Sequence, residues 1–261
     1  MYTHQPKKSL GQNFLTSIPA RIAIVKGGDV IPSDTILEIG PGRGFLTEEL
    51  LKTGAHILAL EKDRDLIPIL QEQFSTQNNL TIQEGDALTF NPFENAITKE
   101  GYKIIANIPY YITGAILSHY LSHKNKPVCM VVLVQKEVAE RIVARDKKES
   151  ILSLSVKVYG EPKIIYKVDK GSFNPRPNVD SAVLGIYNIR SNFSNHYHED
   201  IFFKTLHAGF AHKRKLLASN LKNIFKEKDI LQIFLSLSID AKARAEDVTL
   251  STWLQLSQAL L

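Results

Sequence analysis

The stretch Thr35-Ile-Leu-Glu-Ile-Gly-Pro-Gly-Arg-Gly-Phe-Leu-Thr-Glu-Glu-Leu-Leu51 decides the fold. A short apolar, β-branched run at 35–39 meets glycines at positions 40, 42 and 44. It then passes into residues 45–51, whose apolar side chains recur at three- and four-residue spacing. Strand, tight turn and helix in that order open a βαβ unit, and such a turn places a ligand at the carboxyl edge of a parallel sheet. Glycine suits the turn because it accepts unusual backbone angles and lets a ligand approach the main chain.

Working outward, further strand-like runs fall at 56–60, 80–83, 103–106 and 128–134, with helical patterns at 63–74 and 136–143. This alternation predicts an α/β fold with a parallel sheet covered by helices on both faces. After residue 145 the pattern predicts strands at 154–159, 164–168 and 181–187, interrupted by the Pro-rich Phe173-Asn-Pro-Arg-Pro-Asn178. The polar, turn-prone segment 191–198 follows, and beyond it only helical patterns remain, at 201–210, 213–221, 229–237 and 250–260. A boundary near residue 190 divides residues 1–190, the larger domain, from residues 191–261, a small helical one.

The length of 261 residues and a composition of 44% apolar and 23% charged residues suit a globular protein of this size. A net charge of +5 favours polyanionic partners without separating nucleic acid from an anionic membrane. Cys129 is the sole cysteine and sits in an apolar run, which predicts an inert buried thiol in a reducing compartment. The amino-terminal residues lack the apolar core of a secretory signal, and no window approaches a membrane span, so the expected location is the cytoplasm.

A nicotinamide dinucleotide, a methyl donor or no ligand at all would each fit the glycine turn. Glu38 would repel a pyrophosphate, and Pro41 removes an amide that a phosphate cradle would use. Glu61, about twenty residues downstream at the end of the second strand, is placed to accept from both ribose hydroxyls, although a strand-end charge explains it equally well. Asp86 after the third strand is placed to accept from an adenine amine, with a turn residue as the plainer explanation. Glycines or acids at three strand ends along one sheet edge favour an adenosyl ligand without phosphates, S-adenosyl-L-methionine.

The fourth strand ends in Asn107-Ile-Pro-Tyr110, the most specific motif in the chain. An adenine amine is a poor nucleophile because its lone pair is delocalised into the ring. The Asn107 side-chain oxygen and the Ile108 carbonyl can accept both amino hydrogens and draw the nitrogen toward tetrahedral geometry. Pro109 stiffens the turn, and Tyr110 offers a ring on which the base stacks. The competing explanation is an Asn-Pro turn that simply closes a strand. A base held this way must be flipped out or unpaired. Phe173, followed by two prolines, is the candidate for the second stacking face, or else an anchor of its loop to the core.

These motifs resemble the KsgA-type ribosomal RNA adenine dimethyltransferases, related to the Erm resistance methyltransferases. The resemblance runs from Lys7-Lys-Ser-Leu-Gly-Gln-Asn-Phe-Leu15 through residues 38–44, 107–110, 135–141 and 173–183 into the basic helical tail. It implies a class I S-adenosylmethionine-dependent methyltransferase, with a Rossmann-like sheet and a small carboxy-terminal α-helical domain. It implies that Asn13 and Leu15 join Gly40, Glu61, Asp86 and Asn107 around the cofactor. The implied reaction is dimethylation at N6 of two adjacent adenosines in the loop of the last helix of 16S rRNA, on the small ribosomal subunit. A monomer is expected. Leu10-Gly-Gln-Asn-Phe-Leu15 and Val179-Asp-Ser-Ala-Val183 look closer to the housekeeping enzymes than to the Erm group. Tyr111 departs from relatives that carry asparagine there.

His212-Lys-Arg-Lys215 is expected to open a helix, and Lys213, Arg214 and Lys215 are the candidate RNA contacts, since such groups hold phosphates without reading sequence. Arg141, Arg145, Lys147 and Lys148 are a second candidate patch. His196 and His198 have no third ligand near them in sequence, so they are assigned to a linker and no metal site is expected. Three alternatives remain open. One is an Erm-like enzyme acting on large-subunit rRNA, and another is a non-catalytic assembly factor. The third is a DNA adenine or protein glutamine methyltransferase, which would ordinarily carry a second proline in place of Ile108.

Overall fold

The computed structural model describes residues 5–7, 10–92, 94 and 101–261. Lys8 and Ser9 of the amino-terminal motif lie outside the described residues. The chain divides into two compact units, Met1–Ala139 with Gly160–Arg190, and Glu140–Tyr159 with Ser191–Leu261.

The first unit begins with the two-residue strand β1 (Phe14–Leu15) and helix α1 (Ile18–Gly27), capped by the Ser17 hydroxyl accepting from the Ala20 amide. Strands β2 (Thr35–Ile39), β3 (His56–Glu61), β4 (Leu80–Glu84), β5 (Tyr102–Asn107) and β6 (Cys129–Gln135) then alternate with helices. Those helices are α2 (Phe45–Leu51), α3 (Ile67–Gln73) and α4 (Thr113–Ser122), and α5 (Lys136–Val143) follows β6. The unit closes with β7 (Glu161–Val168), β8 (Phe173–Asn174) and β9 (Ser181–Tyr187). Among the described residues, seven strands form one sheet in the order β4-β3-β2-β5-β6-β9-β7, with β9 antiparallel to both of its neighbours.

This order reverses between β2 and β5: the chain builds outward through β3 and β4, then returns to the other side of β2. A crevice opens at the carboxyl ends of the strands at such a reversal, and it is where ligands bind in open α/β sheets. Both sheet faces are buried. Ile36, Ile57, Ile105, Val131 and Val183 pack in one core cluster, while their alternates Leu37, Leu58, Ile104 and Val132 are equally sequestered on the other face. Burial on both faces explains why the strands read as continuous apolar runs.

The second unit is helical. Residues 154–159, expected as a strand, instead belong mostly to helix α6 (Ile151–Lys157). A capping box fixes its start: the Ser150 hydroxyl accepts from the Ser153 amide, and the Ser153 hydroxyl accepts from the Ser150 amide. The unit continues with α7 (His196–Gly209), α8 (Leu217–Lys222), α9 (Ile230–Ser236) and α10 (Leu250–Ala259) around Trp253, Phe202, Phe234 and Leu206. Trp253 stacks on Phe210 at 5.7 Å between ring centroids. His196 and His198 lie in the first turn of α7 rather than in a linker, and His196 Nδ1 stands 3.4 Å from Glu199. Among the described residues, no helix is long and apolar enough to cross a membrane.

Candidate active site

A cavity of about 210 Å³ sits in the first unit at the sheet reversal. The loops after β2, β3, β4 and β5 line it, and the segment 10–15 forms a further wall. Of the residues singled out in the sequence, Asn13, Leu15, Gly40, Glu61, Asp86, Asn107 and Tyr110 all line this one space.

The glycine turn is built around internal hydrogen bonds. Gly40 N donates to Leu60 O at 2.9 Å, Gly44 N to Pro41 O at 2.9 Å, and Gly42 N to Glu61 Oε2 at 3.0 Å. The amides that a pyrophosphate would need at the three glycines are therefore already engaged. Gly42 also has a positive φ of 60°, and a Cβ there would stand 2.9 Å from the Phe14 ring, so only glycine lets the amino-terminal segment lie against the turn.

Glu61 is buried, and Asp63 N donates to its Oε1 at 2.8 Å. Burial pushes the Glu61 carboxyl up, opposed by its backbone hydrogen bonds. These amides do not exhaust the lone pairs of the carboxylate, which keeps capacity to accept from a ribose hydroxyl. Asp86 accepts from Lys62 Nζ at 2.8 Å and from Leu88 N at 3.0 Å, and these partners hold its carboxyl below the ordinary value.

Glu38 differs from its expected role. It does not line the cavity; it is 1% exposed, with Oε2 accepting from Thr47 Oγ1 at 2.8 Å and Oε1 without a partner among the described residues. Burial pushes its carboxyl up to about 8, so near neutral pH it keeps its proton and exerts no strong repulsion on a phosphate. The occupied glycine amides are the sounder reason to disfavour a dinucleotide.

Segment 10–15 is held down from both ends. Lys7 Nζ lies 2.6 Å from Asp63 Oδ1, and Gln12 Nε2 donates to Asp63 Oδ2 at 2.8 Å. At the far end β1 pairs antiparallel with β8, Phe14 opposite Asn174 and Leu15 opposite Phe173. Phe173 is 5% exposed, sits in the core cluster with Leu15 and does not line the cavity. Its ring packs in one cluster with Leu15 and ties the Pro-rich loop to the segment opposite.

Asn107 Nδ2 donates to Asn13 O at 3.1 Å. Only the amino end of an amide can donate to a carbonyl, so this contact fixes which end is which. Among the described residues no donor reaches Asn107 Oδ1, which is left as an acceptor at the cavity wall. Tyr110 starts a 3-10 turn (Tyr110–Ile112), and its hydroxyl lies 2.7 Å from Ser181 Oγ. Ser181 and Asp63 went unassigned in the sequence because their partners lie 71 and 56 residues away.

The basic residues Lys213, Arg214 and Lys215 are exposed in the turn before α8 rather than within a helix, and among the described residues none forms an ion pair. Asn220 holds that turn: its buried Nδ2 donates to Gly209 O at 2.6 Å and His212 O at 3.1 Å. In the second candidate patch, Arg145 pairs with Glu140, and Lys148 pairs with Asp247 and Glu246, so acids offset those two cations. Among the described residues no group of three or more His, Cys, Asp or Glu is gathered as a metal site.

Comparison with known proteins extends over nearly the whole chain. The family model described as "Ribosomal RNA adenine dimethylase" matches residues 3–260. A Dehalococcoides mccartyi protein named ribosomal RNA small subunit methyltransferase A is 40% identical over 257 residues, covering 98% of this chain and 88% of that one. A Clostridium botulinum protein of the same name is 37% identical, covering 99% of this chain and 95% of that one. Among solved structures, a dimethyladenosine transferase from Plasmodium falciparum superposes with a TM-score of 0.80 at 25% identity, covering 93% of this chain and 95% of that one. The 23S rRNA methyltransferase ErmE shares the fold, with a TM-score of 0.77 at 24% identity and coverage of 95% and 99%.

Proposed function

Since the chain belongs to the ribosomal RNA adenine dimethylase family, we propose that it transfers methyl groups from S-adenosyl-L-methionine to N6 of two adjacent adenosines in the 3'-terminal helix loop of 16S rRNA, on the small ribosomal subunit during its assembly. The observation that carries this reading is the acceptor left at Asn107 Oδ1 by the Nδ2 contact to Asn13 O.

The cavity fits the cofactor. Glu61 would accept from a ribose hydroxyl and Asp86 from the adenine amine, with Asn13, Leu15 and Gly40 lining the same cavity. When bound, the cofactor supplies an electrophilic methyl group on a sulfonium. Asn107 Oδ1 and the Ile108 carbonyl accept the two N6 hydrogens and localise the nitrogen lone pair toward that carbon. Tyr110 stacks on the base and fixes the line of approach. As the nitrogen forms its bond to the methyl carbon the carbon–sulfur bond breaks, leaving a neutral thioether, and the surplus proton goes to water, since the methylated nitrogen is at first a cationic ammonium and so a strong acid that requires no strong general base.

Lys213, Arg214 and Lys215 supply phosphate contacts that position the subunit without reading sequence. The test is Asn107→Ala assayed on unmethylated small subunits with labelled methyl donor. Methylation should fall about 100-fold or more, with particle binding largely retained. A variant that methylates at the wild-type rate would refute the acceptor role.

A further inference from the structure

Ser181, in the motif Val179-Asp-Ser-Ala-Val183, has no part in the chemistry above, yet its hydroxyl lies 2.7 Å from that of Tyr110. Ser181 is 0% exposed and is among the most constrained points of the sheet. On one side it pairs with Gln135 of β6, and on the other with Val168 of β7. Asp180, one residue earlier, adds two ties: its carbonyl accepts from Lys136 N at 3.0 Å and its Oδ1 from Lys170 N at 3.1 Å. The hydroxyl cannot shift without disturbing two strand ladders and the chain on either side of them.

The opposite end of Tyr110 is fixed as firmly. Pro109 precedes it with φ −59°, and Ile112 N closes the turn on Pro109 O at 3.2 Å. With Cα held by the turn and the phenolic oxygen held by the sheet, the long axis of the ring is defined at both ends. Burial pushes the phenol's pKa up, so it remains a neutral hydroxyl able to keep the contact.

We propose that Ser181 is a positioning residue for the methyl-transfer reaction: by holding the Tyr110 hydroxyl it sets the tilt at which the ring meets the target base. This deepens the functional reading given above and rests on it. Without the anchor the ring pivots about its Cβ, and a base that follows it leaves the line between its amine and the methyl carbon. Small displacements of that kind lower turnover steeply, whereas ground-state binding is less sensitive.

A four-member cycle tests this: the wild type, Ser181→Ala, Tyr110→Phe and the double variant. Each is assayed as full-length protein on unmethylated small ribosomal subunits, with kcat and KM measured separately and cofactor Kd by calorimetry. Each single variant should lose about tenfold in kcat with cofactor Kd within twofold, and the double variant should be no worse than either. Fully multiplicative losses would show that Ser181 acts through packing and overturn the proposal. Tyr110→Phe leaves β9 untouched, so wild-type kcat in that variant overturns it even if Ser181→Ala fails to fold. If the wild type leaves the subunits unmethylated, the functional reading fails along with the proposal; a methylating wild type with a multiplicative cycle removes the proposal alone.

Discussion

Glu38 shows how far a single residue departs from its formal charge. The ordinary carboxyl value of 4.5 is raised to about 8 by burial, and the Thr47 hydrogen bond offsets this only in part. Below pH 4.5 the folded and unfolded chains both hold the proton. Between 4.5 and about 8 the unfolded chain has released it while the folded chain has not, so stability falls as pH rises through this window and levels off above it. Glu38→Gln removes the titration, so its stability relative to the wild type should improve by on the order of 4 kcal/mol from pH 4.5 to pH 8. Urea unfolding at several pH values measures this, and parallel profiles for the two proteins would contradict it. The sequence reveals Glu38 as an acid before a glycine turn, but its protonation depends on burial by distant segments. Asn107, in contrast, was legible because its motif is local and the chemistry needs an acceptor at a strand end.

At the scale of elements, the segment lining the cavity is as informative as the strands. Its anchor is Asp63, which accepts from Lys7 and Gln12 and whose own amide donates to Glu61. Asp63→Ala keeps the amide but removes the acceptors, so segment 10–15 loses its amino-end fixing while the β1–β8 pairing and the Asn107 contact to Asn13 O remain. Cofactor affinity should weaken about 3- to 30-fold, the equivalent of one or two hydrogen bonds at about 1 kcal/mol each, with unfolding temperature little changed. Calorimetric titration with the methyl donor decides it; unaltered affinity would mean that the β1–β8 pair and the Asn107–Asn13 contact hold the wall without Asp63. Strands β3, β5, β6 and β9 were legible because burial on both faces leaves largely apolar runs, β2 from its apolar residues leading into the glycine turn, and the half-buried edge strand β4 from its alternating Leu80 and Ile82. Residues 154–159 were not, since Leu154, Val156 and Val158 imitate the alternation of a strand. The Ser150–Ser153 capping box overrides that pattern by starting a helix just upstream. The grouping of 140–159 with the carboxy-terminal helices was equally hidden, because it depends on ties such as Glu149 N to Glu246 O at 2.8 Å.

Across the whole molecule, charge is distributed unevenly between paired and unpaired cations, and that distribution says more than the net value of +5. Lys7, Lys62, Lys103, Arg145, Lys148 and Lys157 all sit within ion-pair distance of carboxylates. Exposed ion pairs contribute little to stability, but they remove cations from the set that can attract phosphate. Lys213, Arg214 and Lys215 stay exposed on a turn whose shape is fixed by Asn220. Preorganisation matters there because three cations on a rigid turn lose less freedom on meeting a backbone than three on a frayed end. If all three contact phosphates, each displaces condensed counterions, and the slope of log affinity against log salt shrinks by roughly 0.7 to 0.9 per lost contact. Replacing all three by glutamate should therefore flatten the slope for small-subunit binding by about 2 to 3. The unfolding temperature should be nearly unaffected, because none of the three packs against the core. Titrating the subunit at four salt concentrations separates this from general charge repulsion: three glutamates introduced at exposed lysines of the first unit should shift affinity with a smaller change of slope. Equal slope changes in the two triple variants would reduce the 213–215 turn to one part of a diffuse field, with no defined contact to the RNA.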